Sequence, residues 1–140
     1  MNGNDFMSWV LRSPFHGLLS GGMMLITVTG RRTGRKYTTP VGFYEKDDNL
    51  WVLTSRDRTW WKNTQNGAPV ELLMKRRHMK GYAEPELEEI SVRERLLEYV
   101  RFVPASTKPM GIRVVDKKPN TDDIARVAKE RLFVRIKLSE

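Results

Sequence analysis

The residues best equipped for chemistry lie between Leu25 and Pro40, in the stretch LITVTGRRTGRKYTTP. Arg31, Arg32, Arg35 and Lys36 crowd around Gly30 and Gly34. Guanidinium forks offer paired donors to phosphate or carboxylate oxygens, and glycines let backbone N–H groups approach such an anion closely. Thr29, Thr33, Thr38 and Thr39 add hydroxyl donors. This is chemistry for holding an anion, and a phosphate suits it. A solvated hairpin tip, basic for solubility, is the plainer alternative. The exit strand of the loop runs straight into Thr38, Thr39 and Pro40; lacking an N–H for a ladder, Pro40 implies an edge, a bulge or an open site.

Other chemistries find few residues. The chain has no cysteine, so disulfides, thiolate nucleophiles and cysteine-ligated metals are excluded. His16 and His78 are the only imidazoles; His78 has no spaced acidic or histidine partner and reads as an exposed strand residue. No Ser/His/Asp set and no pair of carboxylates at motif spacing stands out, and no side chain is assigned a catalytic role. A bound redox cofactor would supply what the side chains lack. The net charge of +8 favours an anionic partner: nucleic acid, an anionic membrane or a phosphorylated small molecule.

A strand ending in TG, a basic glycine loop, then TTP and an aromatic hairpin partner resembles the deazaflavin (F420)-dependent nitroreductase and quinone reductase family of split-barrel oxidoreductases. The family pattern is roughly TTGRKSGKPRTTPL, and this chain reads VTGRRTGRKYTTPV. The similarity covers Leu25 to Glu84 and, more weakly, Arg131 to Leu138. It implies a mainly β (α+β), FMN-binding-like split β-barrel of about six antiparallel strands with flanking helices. It also implies an oxidoreductase that binds coenzyme F420, an 8-hydroxy-5-deazaflavin, and passes a hydride to a flat acceptor such as a quinone or nitroaromatic; the absence of cysteine fits a cytoplasmic location. Carried over residue by residue, Arg31, Arg32 and Arg35 would hold the phosphate and acidic tail. Where relatives commonly have an Arg this chain has Tyr37, so one phosphate contact is lost or Lys36 substitutes for it. Thr38, Thr39 and Pro40 would line the ring and ribityl chain, with Ser55 and Arg56 beyond them. Trp60, Trp61 and Asn63 resemble the family's WY-x-N helix, although the connection from Ser55 to Thr59 is shorter than usual. FMN is the alternative cofactor, with haem on His16 and His78 a third. A basic nucleic-acid-binding barrel competes, with Arg31 to Lys36 and Arg76 to Lys80 on phosphates and Trp51, Trp60 or Tyr82 stacking on bases.

The elements that must position these residues follow from patterning. At 140 residues one domain is expected, 1–140: an N-terminal helix and linker (1–22), barrel hairpins carrying the loop (23–85), and helices with a closing strand (86–140). Asp5 to Leu19 reads as a short apolar helix, a barrel plug or a peripheral membrane anchor, and nothing near the N-terminus reads as a signal peptide. Strands are expected at Leu25 to Thr29, Tyr37 to Tyr44, Leu50 to Thr54, Pro69 to Lys75, His78 to Glu84 and Leu132 to Leu138. Arg76 and Arg77 would sit at a hairpin turn, so that two basic tips frame one pocket. Of the adjacent Trp60 and Trp61, one should pack and the other border the pocket or solvent. Ser91 with Glu94 reads as a capping box, Thr121 as the cap of a last helix, and Ser106 to Pro119 as a lid or a further strand. Barrels of this kind often pair face to face, so a homodimer is among the expected partners.

Overall fold

The computed structural model describes residues 22–139; the helix expected at Asp5 to Leu19 lies outside them. Six strands close an antiparallel barrel in the order β1-β2-β3-β8-β5-β4. They are β1 (Met23–Thr29), β2 (Lys36–Lys46), β3 (Asn49–Ser55), β4 (Ala68–Met74), β5 (Arg77–Glu86) and β8 (Arg131–Leu138). Helix α1 (Glu89–Phe102) follows β5. A small hairpin of β6 (Val114–Val115) and β7 (Lys118–Pro119) leads into α2 (Thr121–Glu130).

Alternation along each strand decides what faces the barrel interior. Met24, Ile26 and Val28 point inward from β1, and Leu72, Val52, Val134 and Ile136 meet them from other strands, all buried. Each such side chain contributes about 1.5 to 3 kcal/mol relative to exposure. The second half of β2 and the first halves of β3 and β8 are buried on both faces because the two helices cover their outside. There Tyr44, Tyr99 and Phe133 meet edge to face, and Phe102 stacks on Tyr44 with centroids 5.5 Å apart. Burial, followed by the charge of Glu98, pushes the Tyr44 phenol pKa well above its ordinary value. Phe133, which alternates with the inward Leu132 and Val134 and so points away from the barrel interior, is therefore fully buried under the helices.

Several local expectations change. Helix α1 starts at Glu89 with Glu88 as its N-cap and no side-chain cap bond, so Ser91 lies inside the helix and the capping box does not form. Asn120, not Thr121, caps α2; its side chain accepts from the Asp123 N–H. The Ser106 to Pro119 region is a short 3-10 turn (Pro104–Thr107) followed by the β6–β7 hairpin. Lys75 and Arg76, both at positive φ, make the β4–β5 turn, while Arg77 belongs to β5. Because β4 runs antiparallel to β1, pairing Leu73 with Leu25 and Glu71 with Thr27, this turn lies at the opposite end of the barrel from the Gly30 loop. The two basic tips thus frame no common pocket. No helix among the described residues is long and apolar enough to cross a membrane.

Candidate functional site

The loop between β1 and β2 is built by its glycines. Gly30 N–H donates to the Arg35 carbonyl at 2.7 Å, and Gly34 N–H donates to the Gly30 carbonyl at 2.9 Å. Gly34 takes φ +72°, which favours glycine, and open space surrounds the position of a Cβ there. At Gly30 a Cβ would lie 2.9 Å from Tyr37 Cε2, so the tyrosine ring occupies the room that the glycine leaves. The Thr33 hydroxyl accepts from the Arg35 N–H. Arg31, Arg32 and Arg35 are exposed, and none of their guanidinium groups has a partner among the described residues.

A second element fixes the loop from below. Trp60–Thr64 forms a 3-10 turn in which Asn63 Oδ1 accepts from the Arg31 N–H at 3.2 Å and Asn63 Nδ2 donates to the Trp60 carbonyl. Asn63 thereby ties the loop to a turn anchored by two tryptophans. Both are buried, against the expectation that one would border pocket or solvent. The tight 3-10 turn sits over the end of the barrel and packs both rings. Trp60 Nε1 donates to Thr54 Oγ1 at 3.1 Å, while Trp61 Nε1 is buried without a hydrogen-bond partner among the described residues.

The barrel opens beside this loop. Residues 36–41 of β2 pair only with β1, because the β2–β3 ladder begins at Gly42 opposite Leu53. This is the open site that Pro40 implied, since its missing N–H falls on an unpaired edge. Arg58 crosses the opening and donates from Nη2 to Thr39 Oγ1 at 3.4 Å. The pleat divides the expected binding residues. Tyr37 and Thr39 share the face of Val28 and Ile26, whereas Lys36, Thr38 and Pro40 face outward with Thr29, Thr27 and Leu25. On that outer face the Thr27 and Thr38 hydroxyls are 2.7 Å apart, and Lys36 Nζ lies 3.3 Å from Glu71. Lys36 thus stands on the other side of the strand from Tyr37, and it cannot take the place of an Arg there. The outer face holds a groove of about 640 Å³ lined by Leu25, Thr27, Thr38, Glu71, Leu73 and Lys80, with His78 at its side.

Ser55 and Arg56 follow β3 at the same end, but Arg56 is engaged by the fold. Its Nη2 donates to the carbonyls of Leu87 at 2.8 Å and Ala128 at 3.0 Å, and its backbone N–H to that of Glu130. A guanidinium at these last carbonyls complements the C-terminal end of α2. Arg58, then, is the residue that sequence reasoning passed over. Asn63 was visible only as part of the WY-x-N likeness, and Arg58 carried no signal of its own, since its place follows from the tertiary approach of β2. No cluster of metal-ligating side chains occurs among the described residues.

A family model described as F420H(2)-dependent quinone reductase matches residues 13–117, three quarters of the chain. The chain belongs to this family. The match contains the basic loop, the open edge of β2 and the tryptophan turn. No curated protein matches the sequence. Among solved structures, the flavocytochrome Anf3 from Azotobacter vinelandii superposes with a TM-score of 0.55 at 14% identity, over 89% of this chain and 65% of that one. A NimC/NimA family protein from Clostridium acetobutylicum gives 0.54 at 16% identity, over 93% and 86%. An F420 reductase gives 0.50 at 11% identity, over 91% and 95%. At these identities the likeness is one of fold, a split barrel. The chain spans about two thirds of the length of Anf3.

Proposed function

We propose that residues 1–140 work as one split-barrel unit in which Arg31, Arg32 and Arg35 hold the phosphate and acidic tail of F420 while the ring lies along the unpaired edge of β2. One observation carries this reading: three guanidinium groups without partners project from a glycine-shaped loop beside the place where β2 parts from β3. The donor set fits a group with several negative charges. Thr39 and Arg58 stand at the opening, and the buried tryptophan turn keeps the Arg31 amide in place. When bound in its reduced form, the deazaflavin supplies the hydride, and a flat quinone or nitroaromatic accepts it. The chain contributes binding, orientation and a wall that excludes water. The outer face with Leu25 and Leu73, which neither α1 nor α2 covers, suits pairing with a second copy. A cytoplasmic location, with peripheral membrane contact through residues 1–22, fits the same picture.

FMN is the second reading, and a specific observation favours it. Tyr37 stands where relatives have an Arg, and Lys36 faces the other way beside Glu71, so the loop has fewer cations than F420's tail would use. The nucleic-acid reading loses support because its two basic tips lie at opposite ends of the barrel. Titration with F420 and, separately, with FMN, followed by cofactor fluorescence, tests the proposal. Tight binding of F420 with weak binding of FMN is expected; preference for FMN reassigns the donor, and binding of neither overturns the reading.

A further inference from the structure

A different surface carries a property unrelated to the cofactor loop. The β6–β7 hairpin is joined by Asp116 and Lys117, both at positive φ, a two-residue turn of the tight hairpin kind. Its strand residues Val114 and Val115 point to opposite faces, as neighbours on a strand must. Nevertheless both are exposed, Val114 at 46% and Val115 at 71%. Both faces of the hairpin thus meet solvent, with Asp116 and Lys117 at its tip and the two valines just behind them.

Beside the tip lies a groove of about 720 Å³ between the end of α1 and the hairpin, with Leu97, Val100, Pro104 and Val114 in its apolar wall. Its rim carries Arg101, Lys117 and Lys118, and no acidic side chain among the described residues lines it. None of these three cations makes an ion pair among the described residues. Elsewhere many cations are matched: Lys36 to Glu71, Lys46 to Glu98, Arg95 to Glu86, Arg113 to Asp123, Arg126 to Glu130 and Arg135 to Glu84. Unpaired cations thus flank exposed apolar side chains.

We infer that this hairpin and the end of α1 form a docking surface for an anionic lipid bilayer, with Val114 and Val115 entering the headgroup boundary and Arg101, Lys117 and Lys118 meeting lipid phosphates. Exposed valines beside three cations without ion pairs, against the single carboxylate of Asp116 at the turn, complement a negatively charged interface with an apolar interior, whereas a second copy docked on the same face would bring like charges together. Lysine and arginine also suit an interface because their stems lie in apolar surroundings while their heads reach the charged plane. The surface is separate from the Arg31 loop. That loop shares its barrel end with the C-terminus of α2, which the backbone of Arg56 touches, and the hairpin precedes the N-terminus of that helix.

Flotation of the full chain with phosphatidylglycerol-rich and with pure phosphatidylcholine vesicles tests this. Binding to the anionic vesicles that falls steeply with salt is expected. Lys117→Glu with Lys118→Glu should reduce it by at least tenfold, each basic residue near an anionic surface being worth about fivefold. Val114→Ser with Val115→Ser should reduce it several-fold, and both positions are exposed, so folding is spared. Arg31→Glu with Arg32→Glu makes the same change in charge at the distant loop and should cost much less. No binding to anionic vesicles, hairpin variants that bind like the parent, or equal losses at the two places would each overturn the proposal. Sedimentation showing a dimer that the hairpin variants abolish, with no vesicle binding, would replace it with a self-association face.

Discussion

At the scale of single residues, the loop depends on contacts that each side chain makes alone. Arg31 and Arg32 are exposed, so removing them leaves the fold intact and removes only donors for an anion. Arg31→Ala with Arg32→Ala should weaken F420 binding by about 1.5 to 3 kcal/mol per lost charge-assisted contact, more than a hundredfold together. Fluorescence titration of the double variant, checked for an unchanged circular dichroism spectrum, measures it; unaltered affinity would remove the arginines from the site. Gly67 shows the opposite case, a residue whose absence of a side chain is structural. It closes the tryptophan turn at φ +86°, with its N–H donating to the Thr64 carbonyl, and a Cβ there would collide with the Tyr82 hydroxyl. Gly67→Ala meets both an unfavourable backbone and an occupied space, so a loss of about 2 to 4 kcal/mol is expected in chemical denaturation. A loss below 1 kcal/mol, on the order of a surface substitution, would show that Tyr82 moves aside freely.

Elements bring in a second kind of control, which sequence patterning reaches unevenly. The N-terminus of α2 is held by Asn120 and by Asp123, whose carboxylate accepts from Arg113 Nε and backbone N–H, both at 2.9 Å, and from Nη2 at 3.1 Å. These bonds, the guanidinium first, hold the Asp123 carboxyl at about 2, below its ordinary 3.8. A carboxyl whose folded pKa is depressed stabilises fully above its unfolded pKa, and the contribution fades as pH falls from 3.8 towards 2. Urea unfolding of Asp123→Asn should therefore lie below the parent at pH 7 and converge on it near pH 2; parallel curves would refute the role. Only half of this cluster was legible. The acids after Thr121 marked a helix start, but the cap falls one residue earlier, at Asn120, because the β6–β7 hairpin, which no periodicity announced, delivers the chain there. Strands fared better, since the period-two patterns of β1 and β4 are buried on one face only. Phe133 escaped that rule because α1 and α2 cover the second face of β8, a tertiary fact that a strand pattern does not contain. In the same way Thr38, Thr39 and Pro40 read as one binding line, and the pleat sets Thr39 apart from the other two.

The whole molecule is a barrel that is closed by unequal seams. β8 joins β3 from Leu50 opposite Ile136 to Ser55 opposite Arg131, and it joins β5 along Gly81 to Glu86. The β1–β4 seam has a register of only Leu25 to Thr27 against Leu73 to Glu71, and residues 36–41 of β2 have no partner on the β3 side. Protection of backbone amides follows how much ladder and buried surface must open together, so opening should be local at the weak edge and global at β8. In native-state hydrogen exchange, peptides covering 36–41 should therefore exchange well before those covering 50–55 and 132–138. A cofactor laid along the open edge would bind the closed form alone and slow exchange there in proportion to its occupancy, while β8, already limited by global unfolding, gains only the overall stabilisation of the complex. Adding F420 to saturation should thus protect residues 30–41 selectively, and the Arg31→Ala, Arg32→Ala variant should lose that protection at the same concentration. Uniform protection across the barrel, or protection confined to the outer groove around Leu73 and Lys80, would place the ligand elsewhere than at the parting of β2 and β3.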